Sequence, residues 1–490
     1  MIGLAGLFGT FLPMLVTACS AWGPVRGRKL WTLSLAAHLT AWCCFALVLV
    51  LGFFGNGKSS AGAVLSPMIL AQSPWSDETS LLWTFPFAAL CLAACSVTVS
   101  FHFIARGVLE VSRASVAGLA AYLTCILGAL GSNHPLLFSI FLAGSLLPRL
   151  IFMGMDVRDG RIEAVKETAF LSIVALLSLL ISVLAFASPF RDTLGTWFMM
   201  ERGDRIVLPG SIGISLLLLS AAISAGIFPF HGNARRIFQM RRMERAVPLA
   251  LQPIFGFVLL FKFGPASFPK EFHDFSPLLL GLFSVGIAYS ALCFLGARSA
   301  RDRVFWLQQV VSSFVAVGFF SLTIKGWHGA QVLLFFQSVA IPFLLLVLAC
   351  HERRPSMLPL KEVARYPAFA LSTALATLFA LFLPLSIGFY GVLLVTWSLV
   401  GLQQWPLPFL ILSMPLIAFA GVRIMYFRLG DLHPSADSGN GGFRDLQRDE
   451  IFAILPIGLT LLVLGLVPRL LMGPMGISVA ATMRALGFKD

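Results

Sequence analysis

Few residues in this sequence can do chemistry, and most of them sit where apolar runs are interrupted. The phrase FPFH at 228–231 closes a long apolar run and leads straight into the basic stretch 235–245. His231 could relay a proton, because an unperturbed imidazole titrates near ~6.5. Arg235 and Arg236 follow at once and would disfavour the imidazolium, so helix termination and packing is the other reading. The polar residues inside apolar segments are uncharged: Ser224, Gln252, Gln308, Gln309 and Gln337, with Ser290, Ser312, Ser313 and Ser338 beside them. Such side chains hold water or bond across helices, and in membranes those bonds are worth below ~1 kcal/mol on average. Two cations, Arg149 and Lys262, also fall inside apolar runs, and their long stems allow them to extend to a headgroup layer. The pair Lys166–Glu167 opens a run and reads as an interfacial anchor.

No enzyme signature accompanies these residues. The cysteines at 19, 43, 44, 91, 95, 125, 293 and 350 form no CxxC pair, and no histidine stands at zinc-ligand spacing from them. The sequence has neither GxxxxGK[ST] nor a strand-borne GxGxxG, so ATP-driven work and dinucleotide binding by this chain are excluded. We expect no catalytic residue, no cofactor and no metal.

The elements that must position these side chains are membrane helices. Of 490 residues 58% are hydrophobic and 12% charged, about half the charged share of a soluble domain. The mean hydropathy is +0.90. The net charge of +13 would suggest nucleic acid in a soluble protein, but here the basic residues flank apolar spans. At about 20 residues per crossing, the apolar runs give fourteen spans: 3–21, 31–54, 81–105, 114–131, 134–155, 166–187, 208–230, 247–266, 275–296, 304–324, 329–350, 366–400, 405–427 and 451–472. The loops that then share one side carry 23 of the 35 Lys and Arg, and the other side carries 8. That asymmetry places the crowded side in the cytoplasm and both termini, with the 55–80 loop, outside it. The first run begins without a basic segment and reads as a retained helix.

Two spans contain helix breakers. The seventh ends at Pro229, and the overlong twelfth holds Pro384, Gly388 and Gly391 in the phrase LPLSIGFYG. They are five spans apart, so spans 4–8 and 9–13 read as two five-helix units of opposite orientation, each broken in its fourth helix. The implied divisions are an N-terminal three-helix region at 1–110, a first repeat at 111–268, a second at 269–430, and a loop with the last helix at 431–490.

On these residues the chain resembles the antiporter-like membrane subunits of respiratory complex I, shared with Mrp-type cation/proton antiporters. Those subunits have fourteen helices, two inverted five-helix repeats and broken seventh and twelfth helices. FPFH at 228–231 is similar to the end of their seventh helix, and LPLSIGFYG at 383–391 to the twelfth-helix break. NHPLLFSIFLAGSLLPRLIF (133–152), RIEAVKETAFLSIVALLSLLI (161–181) and AYSALCFLGARSARDRVFWLQQVVSSFVAVGF (288–319) look like the M-type subunit in particular. The resemblance implies an all-α polytopic fold and a place in a multi-subunit NADH:quinone oxidoreductase-type or Mrp-like assembly. Its partners would be other antiporter-like subunits, a soluble arm and the bilayer, with no nucleic acid, in a bacterial inner membrane. Any redox chemistry would belong to the assembly.

The family carries a track of membrane-embedded charges, and this chain departs from it. The helix-5 acid falls at Ala143, the helix-7 lysine at Ser224, the helix-8 lysine near Ile254, the helix-11 histidine near Gln337 and the helix-12 charge at Val392. A charge at the bilayer centre costs at least ~2.5–3.5 kcal/mol and is normally kept for function. Its loss at every position points to a mainly structural or passively conducting paralogue. A membrane subunit of a proton-coupled inorganic-carbon accumulating complex, or an unrelated fourteen-helix exporter or flippase, is the alternative.

Overall fold

The computed structural model describes residues 28–54, 84–106, 113–132, 134–155, 162–183, 210–240, 243–352, 366–380, 382–400, 405–430 and 445–485. They form helices and no strand. The first three are α1 (Arg28–Phe54), α2 (Thr84–Arg106) and α3 (Arg113–Gly131). Next come α4 (Pro135–Gly144), α5 (Leu146–Gly154), α6 (Ile162–Val183), α7 (Gly210–Ala225) and α8 (Gly232–Phe238). The middle of the chain forms α9 (Met243–Leu249), α10 (Pro253–Ser267), α11 (Pro269–Gly296), α12 (Ala300–Phe320) and α13 (Ile324–Glu352). The last five are α14 (Pro367–Ala380), α15 (Ile387–Val400), α16 (Leu407–Gly430), α17 (Arg448–Leu466) and α18 (Arg469–Ala485). Among the described residues nine helices are long and apolar enough to cross a membrane, by length and composition. The expected first span, 3–21, and the 55–80 loop lie outside the described residues.

Both expected interruptions are present. The helix carrying the seventh span stops at Ala225 and resumes at Gly232; that carrying the twelfth stops at Ala380 and resumes at Ile387. Pro229 and Pro384 lie within these gaps, whereas Gly388 and Gly391 are already helical. Their role is close approach, not breaking: a Cβ at Gly388 would meet the Phe336 ring at 2.9 Å, and one at Gly391 would meet Leu333 at 2.7 Å. Small residues there let α15 lie against α13.

Three features depart from expectation. The fifth span is divided at Ser145 between α4 and α5, because Pro148 cannot donate to the Gly144 carbonyl. The eighth is divided at 250–252, where bonds tighten to the three-residue type: Leu251 N–H to Pro248 O at 3.3 Å and Gln252 N–H to Leu249 O at 3.1 Å. The expected last span, 451–472, ends early at Leu466, and α18 follows.

The core is α13, whose apolar window is buried along its full length. It is packed by α12, α15, α2, α9, α17 and α18. Outward faces remain apolar, with Phe170 and Leu177 on α6, Leu278 on α11 and Ile411 on α16 all more than half exposed. A shell of this kind suits lipid or neighbouring membrane helices.

Candidate functional site

The gap after α7 ends the helix by a Schellman arrangement. Gly226 adopts the left-handed conformation (φ 63°). Its N–H bonds Ile223 O at 3.1 Å, and the Ile227 N–H reaches back to Ala222 O at 3.2 Å. That leaves carbonyls beyond Ile223 without intrahelical partners. Two glutamines from other helices take them: Gln252 Nε2 donates to Ser224 O at 3.1 Å, and Gln309 Nε2 donates to Gly226 O at 3.0 Å. Gln252 can do this because the interruption at 250–252 turns it toward α7. Gly256, one turn on, brings α10 against the backbone of Ala221 and Ala225.

On α12 the polar residues are divided between two faces. Gln309 and Ser313 face the α7 break and α11, where Ser313 Oγ lies 3.4 Å from where a Gly286 Cβ would be. Ser312, on the other face, accepts from Gln337 Nε2 of α13 at 2.7 Å. Gln308 is buried, and the Oε1 atoms of Gln252, Gln308, Gln309 and Gln337 have no hydrogen-bond partner, nor do the hydroxyls of Ser224, Ser290 and Ser313. The arrangement is rich in acceptors, contains no side chain that changes charge, and fixes a broken backbone.

His231 lies between α7 and α8 in an aromatic box. Its ring centroid is 6.1 Å from Phe228, 6.0 Å from Tyr289, 6.2 Å from Phe305 and 5.3 Å from Trp306. Burial, and then the Arg235 charge, lower its pKa below the ordinary histidine value. Phe305 stands one turn before Gln309 on α12, so the box adjoins the glutamines without the imidazole bonding to them.

Of the substituted positions, Ile254 and Val392 are buried, and Ala143 is partly exposed on α4. Neither embedded cation extends to a surface as expected. Lys262 is 9% exposed; its ammonium donates to Leu130 O and, at 2.9 Å, to Ser132 O, and lies 4.5 Å from the Phe87 ring centroid. It caps the carbonyl end of α3. Arg149 is 4% exposed, on the inner face of α5.

The described arginines of the basic stretch make internal contacts. Arg235 pairs with Asp302 at 3.3 Å, Arg236 with Glu167, and Arg245 donates to Met155 O at 2.6 Å. The first two tie α8 to α12 and α6, and the third ties α9 to the end of α5. A histidine pair on α1 and α2 was missed altogether. His38 and His102 each place Nδ1 2.7 Å from a carbonyl, Ser34 O and Thr98 O, and Ser34 Oγ donates to His102 Nε2 at 2.8 Å. The signal was there to read, since both residues interrupt apolar runs, but nothing in the spacing joined one to the other.

Scanned against models of known protein families, the chain matches none. It is 24% identical over 375 residues to NADH-quinone oxidoreductase subunit M of Rickettsia prowazekii, covering 73% of this chain and 75% of that one. Among solved structures, a chain of respiratory complex I from Thermus thermophilus with bound NADH superposes with a TM-score of 0.76 at 19% identity, covering 99% of this chain and 100% of that one. A chain of the Mrp complex from Dietzia gives a TM-score of 0.66 at 14% identity, covering 93% of this chain but 52% of that one. The protein has the fold of the antiporter-like membrane subunits of complex I and Mrp assemblies, and in sequence it resembles the M-type subunit.

Proposed function

We propose that the chain is a membrane subunit of a complex I-like or Mrp-like proton- or cation-translocating assembly, and that within it the chain is structural or passively conducting, not a charge-coupled pump. The observation that carries this is the capping of the α7 break by Gln252 and Gln309. Amides hold the backbone beside Ser224 and Ile254, the positions at which the resemblance implies lysines. Coupling between sites needs groups that change charge, and moving one proton against 100 mV takes about 2.3 kcal/mol. Ser224, Gln252, Gln308, Gln309 and Gln337 cannot supply a switching charge. Of the two embedded cations, a guanidinium such as that of Arg149 does not titrate in proteins, and Lys262 lies ten residues along the chain from Gln252, at the end of α3 and away from the α7 break.

The proposal includes the two inverted repeats at 111–268 and 269–430. Both breaks support it through the same terminal geometry: Phe382, at φ 49°, bonds Phe379 O, and Leu383 bonds Leu378 O, as Gly226 and Ile227 do after α7. In both units the first and fifth helices pack together, α3 with α10 and α11 with α16. It also includes a soluble arm among the partners and an inner-membrane location with both termini outside the cytoplasm.

The test is proton translocation by the reconstituted assembly carrying Gln252→Leu, Ser224→Ala or His231→Ala in this subunit, with assembly checked for each. Unchanged stoichiometry with intact assembly is the expected result. A fall in stoichiometry with assembly intact would show that the subunit pumps.

A further inference from the structure

Outside the glutamine cluster, the first repeat holds a set of hydrogen-bond donors with nothing to donate to. Arg149 on α5 is 4% exposed and Tyr122 on α3 is fully buried. Among the described residues the Arg149 Nε and Nη2 atoms and the Tyr122 hydroxyl have no hydrogen-bond partner. The ion pairs among the described residues use other arginines, with Asp302, Glu167 and Glu352 as their acids. Gly118 of α3 meets Phe152 of α5, and Gly144 just before α5 meets Cys125 of α3, so the packing brings Tyr122 level with Arg149.

A guanidinium cannot relieve burial by losing its proton, and an uncompensated buried charge is strongly destabilising. A negative charge must therefore be supplied from outside the described side chains. Geometry narrows its source. Leu147 on α5 is 67% exposed, and Arg149, two residues along, projects from nearly the opposite side of the helix. Phe152, on the same side as Arg149, meets α3 at Gly118, and the Tyr122 ring packs 6.2 Å from Phe255 of α10. The donors thus face the α3–α5–α10 interior, away from the surface on which a neighbouring subunit would dock. The two unpartnered nitrogens are also adjacent on one planar edge of the guanidinium. That edge presents two parallel N–H bonds matched to the two oxygens of a carboxylate-like anion.

We propose that Arg149 and Tyr122 form a binding site for a small, planar, singly charged oxyanion of the carboxylate or bicarbonate type. The Arg149 edge donates two bonds to its oxygens and the Tyr122 hydroxyl donates a third. The site stands apart from the proposed translocation role, but it is one turn of α10 from Gln252, through Phe255.

The experiment uses the full chain in lipid nanodiscs, titrated with carbon-13 formate at constant ionic strength in sodium chloride. Binding is read from line broadening and from the thermal unfolding midpoint. Saturable formate binding is expected to the native chain. R149Q should weaken it by at least about tenfold, since it removes two charge-assisted bonds. R149K should weaken it too, because an ammonium keeps the charge without the fork, and Y122F should weaken it several-fold. If R149Q does not fold, the order native, Y122F, R149K still decides. Absence of saturable binding to the native chain, or equal affinity in R149K and Y122F, would overturn the site. So would formate binding by the isolated chain that vanishes in the assembled complex, which would assign the fork to a partner's carboxylate. Gln252→Leu should leave formate affinity unchanged, so failure of the translocation reading and failure of this one are separable.

Discussion

The imidazole of His231 sits against Phe228, Tyr289, Phe305 and Trp306, and burial, with the Arg235 charge, lowers its pKa below the ordinary histidine value. With its folded pKa depressed, the unfolded chain takes up the proton first. Stability from this group is therefore full above the ordinary histidine value and is lost as pH falls below it, until the folded site protonates as well. The thermal midpoint of the full chain should fall on acidification through that window, and His231→Gln should flatten the fall; an identical acid-side slope in both would show that His231 is not its source. The aromatic box was partly legible, since FPFH and the sequence FW at 305–306 are both visible in the chain. What the glutamines bond was not legible. A glutamine inside an apolar run announces a polar need, but the carbonyls of Ser224 and Gly226 become available only once a separate helix has ended beside it. The same limit hid the burial of Arg149 and Lys262: hydropathy gives a span, not which of its faces is turned inward.

A helix that stops inside an apolar bundle must end on a residue that tolerates a left-handed backbone, and after α7 that residue is Gly226. Gly226→Ala adds a Cβ 2.7 Å from that of Ala234 and forces an L-residue to φ 63°. The backbone term alone is ~1–2 kcal/mol. Chemical denaturation in mild detergent should register a loss of at least that size, while Gly232→Ala, which meets nothing within 4 Å, should be close to neutral. Equal effects would show that the cap is not specific. The breaks at Pro229 and Pro384 were legible because proline deletes a donor in the middle of a run. The break at 250–252 was not, since Pro253 also reads as an ordinary first-turn residue and leaves the apolar pattern unbroken. Gly388 and Gly391 were read as breakers but serve contact with α13, a distinction that depends on the neighbour and not on the glycine.

For the whole molecule the charge asymmetry of 23 to 8 makes a definite statement about sidedness. Cysteines introduced at Ser59 and Ser438 should be labelled from opposite faces of the membrane, Ser59 from outside; labelling from a single face would remove the topology. Most of the architecture was legible at this scale because each span is long and uniformly apolar. Lys262 is the exception, because the groups that accept its ammonium belong to a distant part of the chain. A lysine within α10 resists release into lipid on its own, at a cost of up to ~2.5–3.5 kcal/mol near the bilayer centre, yet the carbonyls that accept its ammonium lie at Leu130 and Ser132, on a helix made over a hundred residues earlier. During synthesis α3 is therefore already waiting when α10 leaves the translocon. A circular permutant that delivers α10 before α3 should insert less efficiently than the native order in a translocon-insertion assay, and equal insertion would show that Lys262 does not depend on α3.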